Sequence, residues 1–341
     1  MNELAIYYPK GHAAHYTPGH PERPERIEAI RNALLSAGLW EESSHLDTIT
    51  LPHSVLHSIH TPAYLSYLKK ACQLGRSLDA DTYTTPASWQ LALNTAGGAA
   101  QIASSVWRRE NKCGFALTRP PGHHATPDRG LGFCLLNNIA LAAEYLLQVE
   151  DAKRLAIVDL DLHHGNGTQE VFWRRPEVVY ISTHQYPHYP GTGYFDETGG
   201  NPEEPSVVNI PLPPFSGDNA FRAVMGKVIL PMLDRFAPEM ILVSFGFDTH
   251  WRDPLGQLLL SADVYAGLIS DLAQWSDVHC HGRFALFLEG GYDLEAASVC
   301  GTAVAQAMLG KAWSDELGPS PYPEGTNWQW VIEKVQKVWG L

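Results

Sequence analysis

Six short apolar runs constrain this chain more than anything else in it: Leu4 to Tyr8, Gly114 to Thr118, Leu155 to Leu160, Val178 to Ser182, Met240 to Phe245 and Phe284 to Leu288. They are continuous rather than alternating. A strand that is apolar along its whole length has to be buried on both faces, which is the condition of a parallel sheet covered by helices. Segments with helical periodicity fall between the runs, at Glu25 to Ala37, Ser88 to Arg108, Ile139 to Gln148, Asn219 to Phe236, Asp263 to Trp275 and Leu294 to Leu309. Such alternation predicts βαβ units and an α/β fold with helices on both sheet faces. No internal repeat and no low-complexity linker divides the 341 residues, so a single domain spanning 1–341 is expected.

Composition narrows the partners. A formal net charge of −13 offers no basic footprint for direct nucleic-acid binding, and it favours the approach of cationic substrates. The five cysteines, Cys72, Cys113, Cys134, Cys280 and Cys300, are odd in number and lack CxxC spacing, which argues against a disulfide framework or a thiolate zinc site and for a reducing compartment. The first ten residues carry an acid and a proline and do not match a signal peptide. No uncharged apolar stretch approaches the roughly 18 residues of a membrane span. The expectation is a soluble, cytoplasmic protein without membrane association. Residues Gln185 to Pro205, rich in Pro, Gly, Tyr and acids, read as a long surface loop.

In open α/β sheets, ligands bind beyond the carboxyl ends of the strands. Here those ends are unusually polar. The run ending at Thr118 leads into Arg119-Pro-Pro-Gly-His123-His124, and the run ending at Leu160 into Asp161-Leu-His163-His164-Gly-Asn166. Phe245 is followed by Gly246-Phe-Asp248, and Leu288 by Glu289-Gly-Gly-Tyr292. Asp159, Asp161 and His163 keep the period of a strand, so their side chains share one side as the strand ends. Asp161 and His163 supply an oxygen and a nitrogen ligand, and Asp248 from another strand a third, leaving the fourth tetrahedral position of a catalytic metal open. A lone D-x-H triplet is more often a capping aspartate and a surface histidine. Aspartates behind buried strands, however, are costly unless paired or metal-bound.

The segments Arg119-Pro-Pro-Gly-His-His, Gly132-Phe-Cys-Leu-Leu-Asn-Asn, Asp159-Leu-Asp-Leu-His-His-Gly-Asn and Glu289-Gly-Gly-Tyr together resemble the zinc-dependent histone deacetylase family, over about residues 5–310. This leaves 311–341 as a packing or oligomer tail, and a homo-oligomer open. The resemblance implies an arginase-type α/β domain with a central parallel sheet of about eight strands. It implies one zinc ion per chain on Asp161, His163 and Asp248, with His123 and His124 beside the metal. Asp159 would pair with His123, Asn166 with His124, and Tyr292 would face the substrate carbonyl.

Tunnel walls fall to Gly132, Phe133 and Tyr189, a substrate-gripping rim acid to Asp81 with Asp79 nearby, an apolar gatekeeper to Leu255, and the inner foot of the pocket to Arg26. The resemblance also implies potassium near the zinc through groups matching Asp159, Asp161, His163 and Ser182, and a second ion near Phe172, Arg175 and Val178. Asn166 and the Gly132 segment look like the class II branch and its bacterial relatives. Gly165 and His250 stand where an arginase-like manganese pair would need further carboxylates, so two metals are not expected. The remaining histidines, His188 among them, are expected to be surface or structural, with His164 and His184 nearest the site. The implied substrate is an acylated lysine or acetylated amine. An acetylpolyamine amidohydrolase, which apolar Leu255 does not encourage, and a catalytically silent acyl-lysine binding module are the alternatives.

Overall fold

Predominantly apolar strands, buried between helices, satisfy their backbones on one another, and in the computed structural model, which describes residues 2–341, they pair in parallel in one eight-stranded sheet. The six runs become β1 (Asn2–Tyr7), β3 (Asn111–Ala116), β4 (Leu155–Asp159), β5 (Val178–Gln185), β7 (Met240–Phe245) and β8 (Phe284–Leu288). Two further strands, β2 (Ser44–Leu46) and β6 (Val207–Leu212), complete the spatial order β2-β1-β3-β8-β7-β4-β5-β6. Both lie at the sheet's edges. β2 is three residues long and partly exposed, and β6 carries Pro211, which an edge strand tolerates because one side of its ladder is unpaired.

Helices cover both faces, each over its own apolar core. Glu25–Ser36, Ala262–His279 and Leu294–Met308 pack together on one face, around Ile30, Ile269 and Val304. Ser88–Trp107 and Asn138–Val149 lie together on the other, around Ala99, Ile102 and Ala142. The periodicity between Asn219 and Phe236 forms one helical stretch with a wide turn at Met225–Ile229, just ahead of Pro231. Proline lacks the N–H that would bond the carbonyl of Lys227, and that carbonyl accepts from Gln336 Nε2 at 3.3 Å.

The short helices His53–Ile59 and Asn166–Phe172 and the longer Pro62–Leu74 were not legible as periodic segments; Pro62–Leu74 starts at a Thr61 cap whose hydroxyl accepts from Tyr64 N–H. The C-terminal helix Trp328–Trp339 buries Val331, Ile332, Val335 and Trp339 in the first core. Among the described residues, no helix is long and apolar enough to cross a membrane.

Candidate metal centre and active-site cavity

Asp161 and His163 follow the end of β4, and Asp248 follows β7, its neighbour in the sheet. One ligand atom from each of the three lies within 4.8 Å of the others. His163 Nδ1 stands 3.2 Å from Asp161 Oδ1 and 3.2 Å from Asp248 Oδ2. Backbone groups aim the carboxylates: Gly290 N–H donates to Asp161 Oδ2 at 2.8 Å, His163 N–H to Asp161 Oδ1 at 2.8 Å, and Leu162 N–H to Asp248 Oδ1 at 3.1 Å. Asp248 Oδ2, in contrast, is buried without a hydrogen-bond partner.

Two carboxylates this close repel each other. Burial and then the Asp161 charge push the Asp248 carboxyl up, whereas Asp161, though burial alone would raise it, is held well below the usual range by the His123 charge together with the hydrogen bonds and charge of His163. A divalent cation among the three groups would satisfy the orphaned oxygen and cancel the repulsion. The donor set of two carboxylates and one imidazole suits zinc, so the residues fit the metal that the resemblance implies. The backbone has made room for it: a Cβ at Gly246 would overlap Asp161 Oδ2, and one at Gly290 would overlap Asp248 Oδ2. A side chain at Gly165 would likewise run into Asp159, Tyr180 and His123, so that position has no space for a further carboxylate ligand.

His123 and His124 lie side by side, ring centroids 4.1 Å apart, on the segment after β3. Their partners make them unlike. His123 Nδ1 pairs with Asp159 Oδ2 at 3.1 Å; burial alone would depress this imidazole, but Asp159, Asp161 and Glu289 raise it to about 10. His124 Nδ1 pairs at 2.8 Å with Asn166 Oδ1. An amide oxygen only accepts, so Nδ1 carries the proton and Nε2 keeps its lone pair. Burial, followed by the charges of His123 and His163, holds His124 well below the usual histidine range. The same Asp159 oxygen is steadied by the Tyr180 hydroxyl, which also donates to Oδ2, at 2.9 Å.

A cavity of about 280 Å³ opens above these groups. His123, His124, Asp161 and His163 line its floor, with Gly132, Phe133, Tyr189, Leu255 and Tyr292 as walls and Asp79 and Asp81 at its mouth. Asp248, Asp159 and Asn166 are not among the lining residues and act on it through the floor. Gly132 and Phe133 both take left-handed backbone, φ +56° and +69°, which a bulky side chain adopts only where its surroundings enforce it. The Phe133 ring meets Tyr292 edge-on at 5.8 Å, and Tyr189 meets His124 at 5.1 Å.

Of the two mouth acids, Asp79 Oδ1 accepts the N–H groups of Asp81 and Thr82, at 3.0 and 2.6 Å, and so shapes the loop. Asp81 meets the loop through its backbone, its carbonyl accepting from His20 Nε2 at 2.9 Å. Burial raises the Tyr292 phenol well above its ordinary value, keeping it protonated. Arg26 stands behind Tyr292 rather than in the cavity wall. Its guanidinium lies 4.7 Å from the ring and donates to the carbonyls of Gly291 and Glu289, both at 2.6 Å, and to Glu22 at 3.3 Å.

Sequence reasoning missed two parts of this site, His188 and the role of Glu289, and expected His164 and His184 close to it. His188 lines the cavity, stacked on the His163 ring at 5.1 Å, with Nε2 bonded to the Leu255 carbonyl at 3.0 Å. Glu289 is wholly buried and accepts from Gly122 N–H at 2.7 Å, His123 N–H at 3.1 Å and the Ser244 hydroxyl at 2.9 Å, bracing the histidine segment. Its place just after an apolar run was the available signal. His164 and His184 tie the 185–205 loop down: His164 Nδ1 bonds Thr192 Oγ1 at 2.8 Å, and His184 Nε2 bonds the Gly193 carbonyl at 2.8 Å.

This chain belongs to the histone deacetylase family, whose histone deacetylase domain matches residues 20–308. It is 38% identical to a probable deacetylase of Archaeoglobus fulgidus, across 92% of this chain and 88% of that one. Chloroplastic histone deacetylase 14 of Arabidopsis thaliana is 37% identical, with 90% of this chain and 77% of that one aligned. The crystal structure of the HDA15 HD domain superposes with a TM-score of 0.90 at 32% identity, covering 99% of this chain and 95% of the other. Membership supports a deacetylase or amidohydrolase function, and therefore a hydrolase.

Proposed function

We propose that this protein is a zinc-dependent deacylase of N-acyl-lysine-type amides. The observation that carries the reading is the orphaned Asp248 Oδ2, facing Asp161 and His163 on the floor of a narrow, partly aromatic cavity. Held by Asp161, His163 and Asp248, zinc would supply Lewis acidity, polarising an amide carbonyl and acidifying water.

The chain's own groups divide the remaining work. Phe133 and Tyr189 flank a slender acyl-amine stem and exclude water from the floor, and Leu255 offers an apolar rim. His124, neutral and with Nε2 unprotonated, takes the proton of the attacking water and returns it to the departing amine nitrogen. His123, held cationic by Asp159, keeps its charge through the cycle and stabilises the negative charge that builds on the carbonyl oxygen. The Tyr292 hydroxyl donates to that same oxygen. Carbonyl carbon–nitrogen cleavage then yields a carboxylate and a free amine.

The acetylpolyamine reading draws on the two exposed acids at the mouth, Asp79 and Asp81, which suit a cationic substrate. Zinc analysis of the full chain, with kcat/KM for an acetyl-lysine peptide and for an acetylated polyamine, tests both. The proposal expects one zinc per chain, turnover that chelation abolishes and zinc restores, and a preference for the peptide. A reversed preference favours the polyamine. Stoichiometric zinc without turnover on a panel of acyl amides returns the chain to a binding module.

A further inference from the structure

One buried acid beside the cavity has no part in the chemistry above. Asp253 is 6% exposed, and its carboxylate is spent on backbone N–H groups from two separate segments. Oδ2 accepts from Tyr292 N–H at 2.6 Å and from Asp293 N–H at 3.1 Å, while Oδ1 accepts from Leu255 N–H at 3.0 Å. Hydrogen bonds to an ionised acceptor are among the strong ones, so this is a firm tether. It matters most at Tyr292, which follows Gly290 and Gly291. Gly291 takes φ +108°, and two glycines impose little conformational restraint of their own. The place of the Tyr292 hydroxyl is therefore set by what grips the chain from outside. Arg26 and Asp161 hold the glycines, and Asp253 holds Tyr292 by its own N–H. The other arm of Asp253 fixes Leu255, whose carbonyl is bonded to His188 across the mouth.

We propose that Asp253 is a positioning residue: through Tyr292 N–H it sets where the phenol hydroxyl stands over the cavity, and through Leu255 N–H it couples that position to the rim a substrate crosses. The inference rests on the reading of Tyr292 as donor to the substrate carbonyl. Asp253→Asn keeps one acceptor oxygen and turns the other into an amide NH2, a donor that faces an N–H instead of accepting from it. One arm of the tether is lost. A misplacement of about 1 Å at a reacting group costs about 100-fold, and the loss cannot exceed what the hydroxyl itself supplies.

The test is a double-mutant cycle on the full-length zinc-loaded protein with an acetyl-lysine peptide, reading kcat and KM for wild type, Asp253→Asn, Tyr292→Phe and the pair. We expect Asp253→Asn to lower kcat about 10- to 100-fold with KM changed by less than about threefold. In the Tyr292→Phe background the same substitution should lower kcat by less than about twofold, because the group it positions is already gone. Equal losses in both backgrounds overturn the proposal and leave the reading of the site standing. A wild type without turnover, or a Tyr292→Phe variant with full kcat, instead overturns that reading and the proposal with it. If Asp253→Asn fails to fold, as judged by zinc content and thermal midpoint, the cycle is run with Asp253→Glu, which retains the charge and both acceptors one methylene further out. The same masking by Tyr292→Phe is expected, and its absence is equally decisive.

Discussion

Asn166→Asp changes one atom of a side chain 2.8 Å from His124 and places a charge where a dipole stood. His123 shows what a carboxylate does in this site: with Asp159 at 3.1 Å it is raised to about 10 despite full burial, while His124, equally buried but facing an amide, is depressed. At an effective dielectric constant of about 20, unit charges about 4 Å apart attract by about 4 kcal/mol. At about 1.4 kcal/mol per pKa unit, that sets a ceiling of about three units. The common range for an imidazole gaining an opposite charge is about one to three. The sign follows from the role: His124 serves as base only when neutral, so raising its pKa moves the acidic limb of the kcat/KM profile to higher pH, and activity at pH values below the new limb falls. The assay is a pH–rate profile of wild type and variant on one acetyl-lysine peptide, with zinc content measured at every pH. An acidic limb that stays in place while zinc is retained refutes the argument that His124 is the base and Asn166 its tuner.

Three further outcomes follow from the same geometry. Tyr292→Phe should lower kcat about 100- to 1000-fold, the usual loss for one oxyanion donor, with zinc content and thermal midpoint unchanged. Gly246→Ala should weaken zinc binding about 10- to 100-fold, on the scale of disturbing groups that hold metal ligands, because its methyl would overlap Asp161 Oδ2; competition with a chelator reads this directly. Glu324→Ala should cost about 1 to 2 kcal/mol, read as a lower urea midpoint with unchanged slope, since this carboxylate accepts from the N–H groups of Gly217, Asn219 and Ala220 at the start of the helix from Asp218.

What was legible in the sequence and what was not divides along burial. β3, β4, β5, β7 and β8 announce themselves because a strand covered on both faces has almost no polar positions to spare. The edge strands do not: Ser44–Leu46 is too short to show a period, and Val207–Leu212 includes a proline that argues against a strand everywhere except at an edge. The same holds at the site. Asp161, His163 and Asp248 are conspicuous because acids behind apolar runs require an explanation. His188 and Asp253 are not, because their significance comes from partners far along the chain, Leu255 and Tyr292 respectively, and no local pattern encodes such a pairing. Arg26 sits between these cases: its charge near a helix start is visible, but only the folded chain shows its donors committed to the carbonyls of Glu289 and Gly291.

Why the chemistry was readable at all comes down to the order of the strands. The histidine pair follows β3, Tyr292 follows β8, Asp248 follows β7, and Asp161 with His163 follows β4, and these four strands are consecutive in the sheet as β3-β8-β7-β4. Segments far apart in the chain therefore end side by side, near the middle of the sheet, where an open α/β fold leaves its binding crevice. Strands at that position are buried on both faces and are apolar along most of their length, so the change to polar chemistry at their carboxyl ends is abrupt. Val158 is followed by Asp159, Phe245 by Gly246 and Asp248 within three residues, and Leu288 by Glu289. The abruptness and the convergence share one cause. A polar residue placed there by accident would be costly at the most thoroughly covered part of the fold, so the acids and imidazoles that do appear must bind a metal or satisfy one another. Asp248 Oδ2, buried without a hydrogen bond and with the His163 ring nitrogen 3.2 Å away, is where that satisfaction is incomplete, and a cation between the two groups would complete it.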